Sequence, residues 1–199
     1  MSAPVLEAAL HAAFDRRRAA GEALGADAGE VAATCEAMAD RFLRGGTLLV
    51  LGCGVSAADA AHVAVEFVHP VIVGKRALPA LSLTADVATL SGLAVTEPHD
   101  MLAAPLRLMA RPDDIALALS CDGREVVVRR ALRAAHDAGL LTVALAGGDG
   151  GDLAGDPAVD HLLVARSDDP QVVKEVHVTT YHVLWEMVHV FLEQPSEQR

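Results

Sequence analysis

The chain has 199 residues, of which 52% are hydrophobic and 3% aromatic, and its 27 acidic and 16 basic residues give a formal net charge of -11. This length suits one domain with one sizeable core. The acidity disfavours nucleic acid and anionic membrane partners, and few aromatic side chains are available to stack on bases. Without an apolar run of membrane-spanning length or a basic leader, we expect a cytoplasmic protein with no direct nucleic acid or membrane partner.

The first part of the chain, residues 1–44, is predicted to be a helical arm with a break near Gly25–Gly29. Its second half repeats apolar residues at helical spacing, at Val31, Ala32, Cys35, Met38 and Phe42. The glycine pair that follows ends the helix. Such an arm either packs against a partner subunit or covers one face of a sheet.

Short apolar runs without alternation follow the arm, which is typical of strands buried on both faces. The five predicted strands are Thr47–Leu51, Leu78–Thr84, Ile115–Ser120, Thr142–Ala146 and His161–Ala165. Helices are predicted over Ala57–Val68, Thr89–Leu93, Val126–Ala138 and Val172–Leu192. The alternation predicts an α/β domain over residues 45–193 with a parallel, doubly wound sheet, followed by a frayed polar tail at 194–199. Ligands should bind at the carboxyl ends of its strands.

The turn after the first strand, Gly52-Cys53-Gly54-Val55-Ser56, leads into a helix. Glycines permit a tight turn, and free amides at a helix start attract anions. The third glycine of a dinucleotide fingerprint is replaced by Ala57, so no nucleotide cofactor is expected. A glycine turn between strand and helix is also common architecture.

The helix after this turn carries its polar residues on one face. His62 and Glu66 are four residues apart, and Asp59 and His69 extend the same face. A histidine and a carboxylate one turn apart can bind a metal ion or divide acid and base work. The surrounding residues are apolar, which favours a functional face over a merely solvated one.

The last predicted helix is apolar but for a second group of titratable residues: Lys174, Glu175, His177, His182, Glu186 and His189. We expect some of them to face a cleft or a subunit interface. Their spacing alone does not single out His182.

Four segments of the chain resemble the SIS-domain phosphoheptose isomerases, which act on sedoheptulose 7-phosphate. These segments are RGGTLLVLGCGVSAADAAHVAVEF, LPALSLTAD, ALALSCDGREVVVRRALRAAHDAGLLTVALAGGDGGDLA and HLLVARSDDPQVVKEVHVTTYHVLWEMV. The resemblance covers nearly the whole chain in collinear order. It implies a three-layer α/β/α sandwich with a five-stranded parallel sheet, and a homotetramer whose active sites are shared between subunits.

The resemblance also implies a chemistry, the aldose-to-ketose isomerisation of a sugar through an enediol. By position, Glu66 matches the family's base and His182 its acid. The family's zinc ion would lie on His62, Glu66 and His182, together with a glutamine. At the glutamine position this chain has Lys174, whose ammonium group cannot bind a metal while charged.

The resemblance identifies a set of substrate-binding residues: Gly52, Cys53, Gly54, Ser56, Thr84, Asp86, Ser120, Cys121, Asp122, Glu125 and Asp169. Two loops among them depart from the family. Where the family's phosphate loop reads Ser-Thr-Ser-Gly-Asn-Ser, this chain reads Ser120-Cys121-Asp122-Gly123-Arg124-Glu125. A carboxylate about 4 Å from a phosphate opposes it by about 4 kcal/mol per unit charge. Cys53 and Val55 replace an asparagine and a glycine of the first loop.

Two interpretations of these departures stay open. The chain is an isomerase of this type with a small sugar-like ligand that differs from the family's, or it is a non-catalytic SIS binding or assembly module. Cys53 and Cys121 end neighbouring strands, where they either form a soft-metal or redox site or, the favoured alternative, fill space as small thiols.

Overall fold

A computed structural model describes residues 3–193 of the chain, so the predicted tail at 194–199 lies outside the described residues. Its helices are α1 (Ala3–Ala26), α2 (Ala28–Leu43), α3 (Ser56–Val68), α4 (Val87–Thr96), α5 (Ala103–Met109), α6 (Val126–Asp137) and α7 (Pro170–Glu193). Its strands are β1 (Leu48–Gly52), β2 (Ala80–Ser82), β3 (Ile115–Ser120), β4 (Leu141–Gly147) and β5 (His161–Ala165).

The five strands form one parallel sheet in the order β2-β1-β3-β4-β5. This confirms the predicted five-stranded parallel sheet, and the bounds of β3 and β5 are those predicted. The edge strand β2 is shorter than the predicted Leu78–Thr84, because it pairs with β1 over only three residues. Strand order reverses next to β1, so the carboxyl ends of β1 and β3 form the edge where a ligand is expected.

Helices cover both faces of the sheet, which makes the fold a three-layer α/β/α sandwich. On one face, large aliphatic residues such as Val50, Leu117 and Val143 pack against α2, α3 and α7. On the other face, smaller residues such as Ala118 and Ala144 pack against α5 and α6. These small side chains account for part of the chain's alanine content. They let a helix backbone approach the sheet closely.

The predicted arm is two helices, α1 and α2, and the break between them falls at Asp27, inside the predicted interval. Within this chain α2 covers a sheet face, because Met38 and Phe42 are buried in the core beside α7. In α1, by contrast, Ala20 is the one residue that is buried among those described.

Two helices differ from the sequence prediction. No helix was predicted over residues 103–109, where α5 places Ala103 and Leu106 in the core. Its seven residues are too few for a clear period, and Pro105 stands in its first turn, where proline is tolerated. The predicted Thr89–Leu93 lengthens to α4, because the side chain of Asp86 accepts hydrogen bonds from the amides of residues 88 and 89.

No helix within residues 3–193 combines the length and the apolar character needed to cross a membrane.

Candidate active site

The turn after β1 brings α3 directly to the carboxyl edge of the sheet. A side chain at Gly52 would collide with the backbone of Ser56, so glycine is what lets the helix start this close to the strand. Gly54 turns the chain with a φ of +57°, in the left-handed region that glycine adopts freely. Ser56 is buried, and Cys53 is half-buried. The turn therefore starts α3, with its polar face, directly at the end of β1.

The polar face of α3 meets α7 at a cluster of three side chains. The Nε2 atom of His62 lies 3.1 Å from Oε1 of Glu66, and Nε2 of His182 lies 3.9 Å from the same oxygen. The Glu66 side chain is 14% exposed, whereas His62 and His182 keep 42% and 45%. A largely buried carboxylate thus lies beneath two imidazoles that open to solvent. The residues that the resemblance matched to a base and an acid lie together here, although they are far apart in the chain.

Tyr181 is buried against this cluster, and it was not among the residues predicted from the sequence. Its hydroxyl lies 2.8 Å from Nδ1 of His62, and its ring contacts those of His62 and His182 edge-on, with centroids 5.3 and 4.9 Å apart. Burial, together with the charges of Asp59 and Glu66, raises the pKa of Tyr181, so its hydroxyl is neutral. The one signal in the sequence is that the chain's single tyrosine precedes His182.

The bond from Tyr181 has a direct effect on His62. A neutral phenol can donate to Nδ1 or accept from it. When it donates, the ring proton is on Nε2, which then donates to Glu66. When it accepts, Nε2 is unprotonated and free to bind a metal ion. In either case Tyr181 fixes the orientation of the imidazole.

Lys174 of α7 forms an ion pair with Asp59 of α3, nearer the start of each helix than the cluster. Its Nζ atom lies 2.5 and 2.6 Å from the two carboxylate oxygens of Asp59, whose side chain is 8% exposed. The ammonium compensates a nearly buried negative charge, which would otherwise be costly. Lys174 is therefore engaged as a cation and adds no donor atom for a metal.

The other two histidines of α7, His177 and His189, lie outside the cluster. His177 is buried, and this burial lowers the pKa of its imidazole. His189 is buried between the carbonyls of Trp185 and Arg76, to which its ring nitrogens are bonded at 2.8 and 2.9 Å. Among the histidines of α7, only His182 joins the cluster with Glu66.

The loop after β3 is held together by its own side chains. The hydroxyl of Ser120 donates a hydrogen bond to Glu125 and accepts one of 2.7 Å from the amide of Gly123. Arg124 turns towards Asp149, with its guanidinium 3.1 and 3.2 Å from the two carboxylate oxygens. The loop's one guanidinium is thus paired outside the Ser120–Glu125 contact.

This loop also contacts the turn after β1, since Sγ of Cys121 lies 3.7 Å from Oγ of Ser56. Asp122 is exposed beside them. A cavity of about 410 Å³ opens next to the loop, which is enough to admit a sugar. Its lining comes from the ends of β3, β4 and β5 and includes Cys121, Asp122, Arg124, Asp149 and Asp168.

Three further residues matched by the resemblance have structural partners. Thr84 bonds to the hydroxyl of Ser82 at 2.8 Å and to the carbonyl of Ala57 at 3.2 Å. Asp86 caps α4, where the hydroxyl and amide of Thr89 hold the pKa of its carboxyl below the ordinary value. Asp169 accepts from the amide of Gln171 at the start of α7. Their assignment to substrate binding stays a prediction.

The cluster also has the donor set of a metal site. One donor atom each from His62, Glu66 and His182 lie within 4.8 Å of one another. Two imidazoles and one carboxylate with an open position are a ligand set of catalytic zinc. The three residues therefore fit the zinc ion that the resemblance implies, without a fourth ligand from Lys174.

Sequence comparison finds relatives along most of the chain. The SIS domain family matches residues 15–147. A phosphoheptose isomerase of Solidesulfovibrio magneticus is 38% identical over 163 residues, which are 81% of this chain and 78% of that protein. A phosphoheptose isomerase of a Bradyrhizobium species is 35% identical over 185 residues, or 92% of this chain and 90% of that protein.

Solved structures give the same picture for the fold. The phosphoheptose isomerase of Francisella tularensis superposes with a TM-score of 0.85 at 26% identity, covering 96% of this chain and all of that one (100%). The phosphoheptose isomerase of Neisseria gonorrhoeae gives 0.82 at 25% identity, covering 92% of this chain and 98% of the other.

We predict that Lys174→Gln strengthens zinc binding by about tenfold or more. The substitution removes a positive charge next to Asp59 and adds a neutral amide oxygen that can act as a ligand. Competition with a chromogenic chelator measures the zinc dissociation constant. Lys75→Gln, which removes an ammonium paired with Glu193 at the surface, is the matched control. Equal zinc affinities for the two variants would contradict the prediction.

Proposed function

Because the chain belongs to the SIS domain family, within the group of the phosphoheptose isomerases, we propose that it is an aldose–ketose isomerase with Glu66 as its base and His182 as its acid. The observation that carries this proposal is the meeting of two side chains from separate helices, with His182 Nε2 3.9 Å from the Glu66 carboxylate. A partly buried carboxylate and an accessible imidazole are a suitable pair for proton transfer.

The proposed reaction moves one hydrogen between neighbouring carbons of an open-chain sugar. Glu66 removes the proton from C2 of the aldose while His182 gives a proton to the carbonyl oxygen on C1, which yields an enediol. Glu66 then returns its proton to C1, and His182 takes the proton of the C2 hydroxyl, which becomes the carbonyl of the ketose. Both residues end in their starting protonation states, so the cycle is balanced.

Two neighbours position this pair. The His62 imidazole, which Tyr181 orients, lies 3.1 Å from Glu66 and restricts the carboxylate to one position. Lys174 compensates the charge of Asp59, so Asp59 is not a second uncompensated carboxylate beside Glu66. A carboxylate held in place by a hydrogen bond loses less entropy when it reaches the substrate.

Zinc, if it is the resident metal, would be held by His62, Glu66 and His182, and it would polarise a carbonyl as a Lewis acid. The non-catalytic module is the weaker alternative, because such a protein has no need to bring Glu66 and His182 together.

We further propose that the protein assembles as a homo-oligomer, a tetramer by its family resemblance. Its exposed apolar residues support this, since α1 presents Val5, Leu6, Leu10 and Phe14 to solvent at 49% to 69% exposure. Runs of apolar side chains on one helix are typical of subunit contacts. A cytoplasmic location and the lack of a nucleic acid partner stay predictions from the sequence.

Light scattering after size-exclusion chromatography is expected to give a mass of about four chains. Phe14→Glu places a charge in the proposed contact and should lower this mass, whereas Glu36→Gln on the exposed side of α2 should leave it unchanged. A monomeric wild type would contradict the assembly.

Glu66→Gln is expected to abolish isomerisation, with a loss of about 10²- to 10⁴-fold, because an amide cannot take up the proton. Uptake of solvent deuterium at C1 or C2, followed by NMR with sedoheptulose and with its 7-phosphate, reports enediol formation directly. Glu36→Gln is the control for the same chemical change on the surface. Exchange by the wild type that persists in Glu66→Gln would refute the role of Glu66, and a wild type that exchanges neither sugar would favour the non-catalytic module.

Tyr181→Phe is expected to lower the catalytic rate about tenfold with little change in KM, because His62 loses the partner that orients it. A purely structural role would not alter the protonation of one ring nitrogen. The ¹⁵N chemical shifts of His62 should therefore show a changed tautomer ratio in the variant. An unchanged ratio would show that Tyr181 is only a packing residue.

A further inference from the structure

The loop after β3 carries its own anion at the start of a helix. The amino end of a helix is a favourable place for negative charge, and bound phosphates are often found there. In this chain Glu125 is the residue before α6, and its carboxylate accepts the hydrogen bond of Ser120. The only hydroxyl on the loop is therefore donated to a carboxylate of the chain itself.

The remaining charges of the loop add to this negative charge. Asp122 is exposed two residues after Ser120. The guanidinium of Arg124 is bonded to both oxygens of Asp149 and to the Asp122 carbonyl. The Gly151 amide and Arg124 hold the pKa of the Asp149 carboxyl below the ordinary value, so this pair is fully ionised. Three carboxylates and one paired guanidinium leave a net negative charge.

The backbone path of this loop is fixed by its neighbours. Gly123 has a φ of +73°, and a side chain there would collide with the carbonyl of Gly150 on the neighbouring loop. The amide of Gly123 is bonded to Ser120, and Cys121 contacts Ser56. With both sides packed, the loop backbone cannot move away from an incoming ligand without breaking these contacts.

These features point to the class of ligand. Phosphate oxygens are acceptors that carry negative charge, so they are repelled by Asp122 and Glu125 and find no free hydroxyl donor at Ser120. A sugar hydroxyl is a donor, and carboxylates accept hydrogen bonds from it. We propose that the ligand of this site is an unphosphorylated sugar, whose hydroxyl groups bind the loop, and that Glu125 excludes the phosphorylated form. This inference rests on the proposed function, because it takes the loop after β3 and the Glu66 cluster as parts of one sugar site.

Calorimetric titration with sedoheptulose and with sedoheptulose 7-phosphate tests the proposal on the intact chain. We expect the wild type to bind sedoheptulose at least about tenfold more tightly than its 7-phosphate. Glu125→Ser removes the carboxylate, frees Ser120 and should raise the affinity for the 7-phosphate about tenfold or more, with a smaller change for sedoheptulose. Glu36→Ser is the control for loss of one acidic residue elsewhere, and it should bind both sugars as the wild type does.

Three results would overturn the inference: tighter binding of the 7-phosphate by the wild type, no binding of sedoheptulose, or an unchanged affinity of Glu125→Ser for the 7-phosphate. Binding needs no turnover, so the two proposals can fail separately. A preference for sedoheptulose without deuterium exchange would leave the ligand class standing and reject the isomerase. Deuterium exchange with the 7-phosphate as the better ligand would leave the isomerase standing and reject the ligand class.

Discussion

The hydrogen bond between Tyr181 and His62 joins the two helices that build the candidate site. Glu66 and His62 lie on α3, and His182 lies on α7, so the cluster exists only while these helices stay packed on the same sheet face. The buried phenol contributes packing area and a polar contact at the same point. Stability and site geometry therefore share one contact, since a loosened α7 would separate His182 from Glu66.

Charged side chains are paired differently at the Glu66 cluster and at the loop after β3. Near the cluster, Lys174 is paired with Asp59, and the charges of Asp59 and Glu66 both act on Tyr181. At the loop after β3, Arg124 is paired with Asp149, while Asp122 and Glu125 have no cationic partner within residues 3–193. The loop after β3 is therefore the more negative of the two places.

The sequence predicted the sheet and most helices because buried parallel strands are continuous apolar runs, as β3 and β5 are. It missed α5, which is too short for its period to stand out. The pairing of Glu66 with His62 follows from helical spacing, whereas His182 was identified by resemblance. Tyr181 and the Lys174–Asp59 pair depend on how two distant helices are rotated against each other, which periodicity does not specify.

The glycine contacts of the loop after β3 separate its shape from its chemistry. Gly123 fixes the backbone path by packing against Gly150, and this contact does not involve the side chains at positions 122 and 125. The side chains at these two positions can therefore differ while the contact between Gly123 and Gly150 still fixes the backbone path. Ligand preference at this loop can therefore change through side chains alone, with the backbone path left as it is.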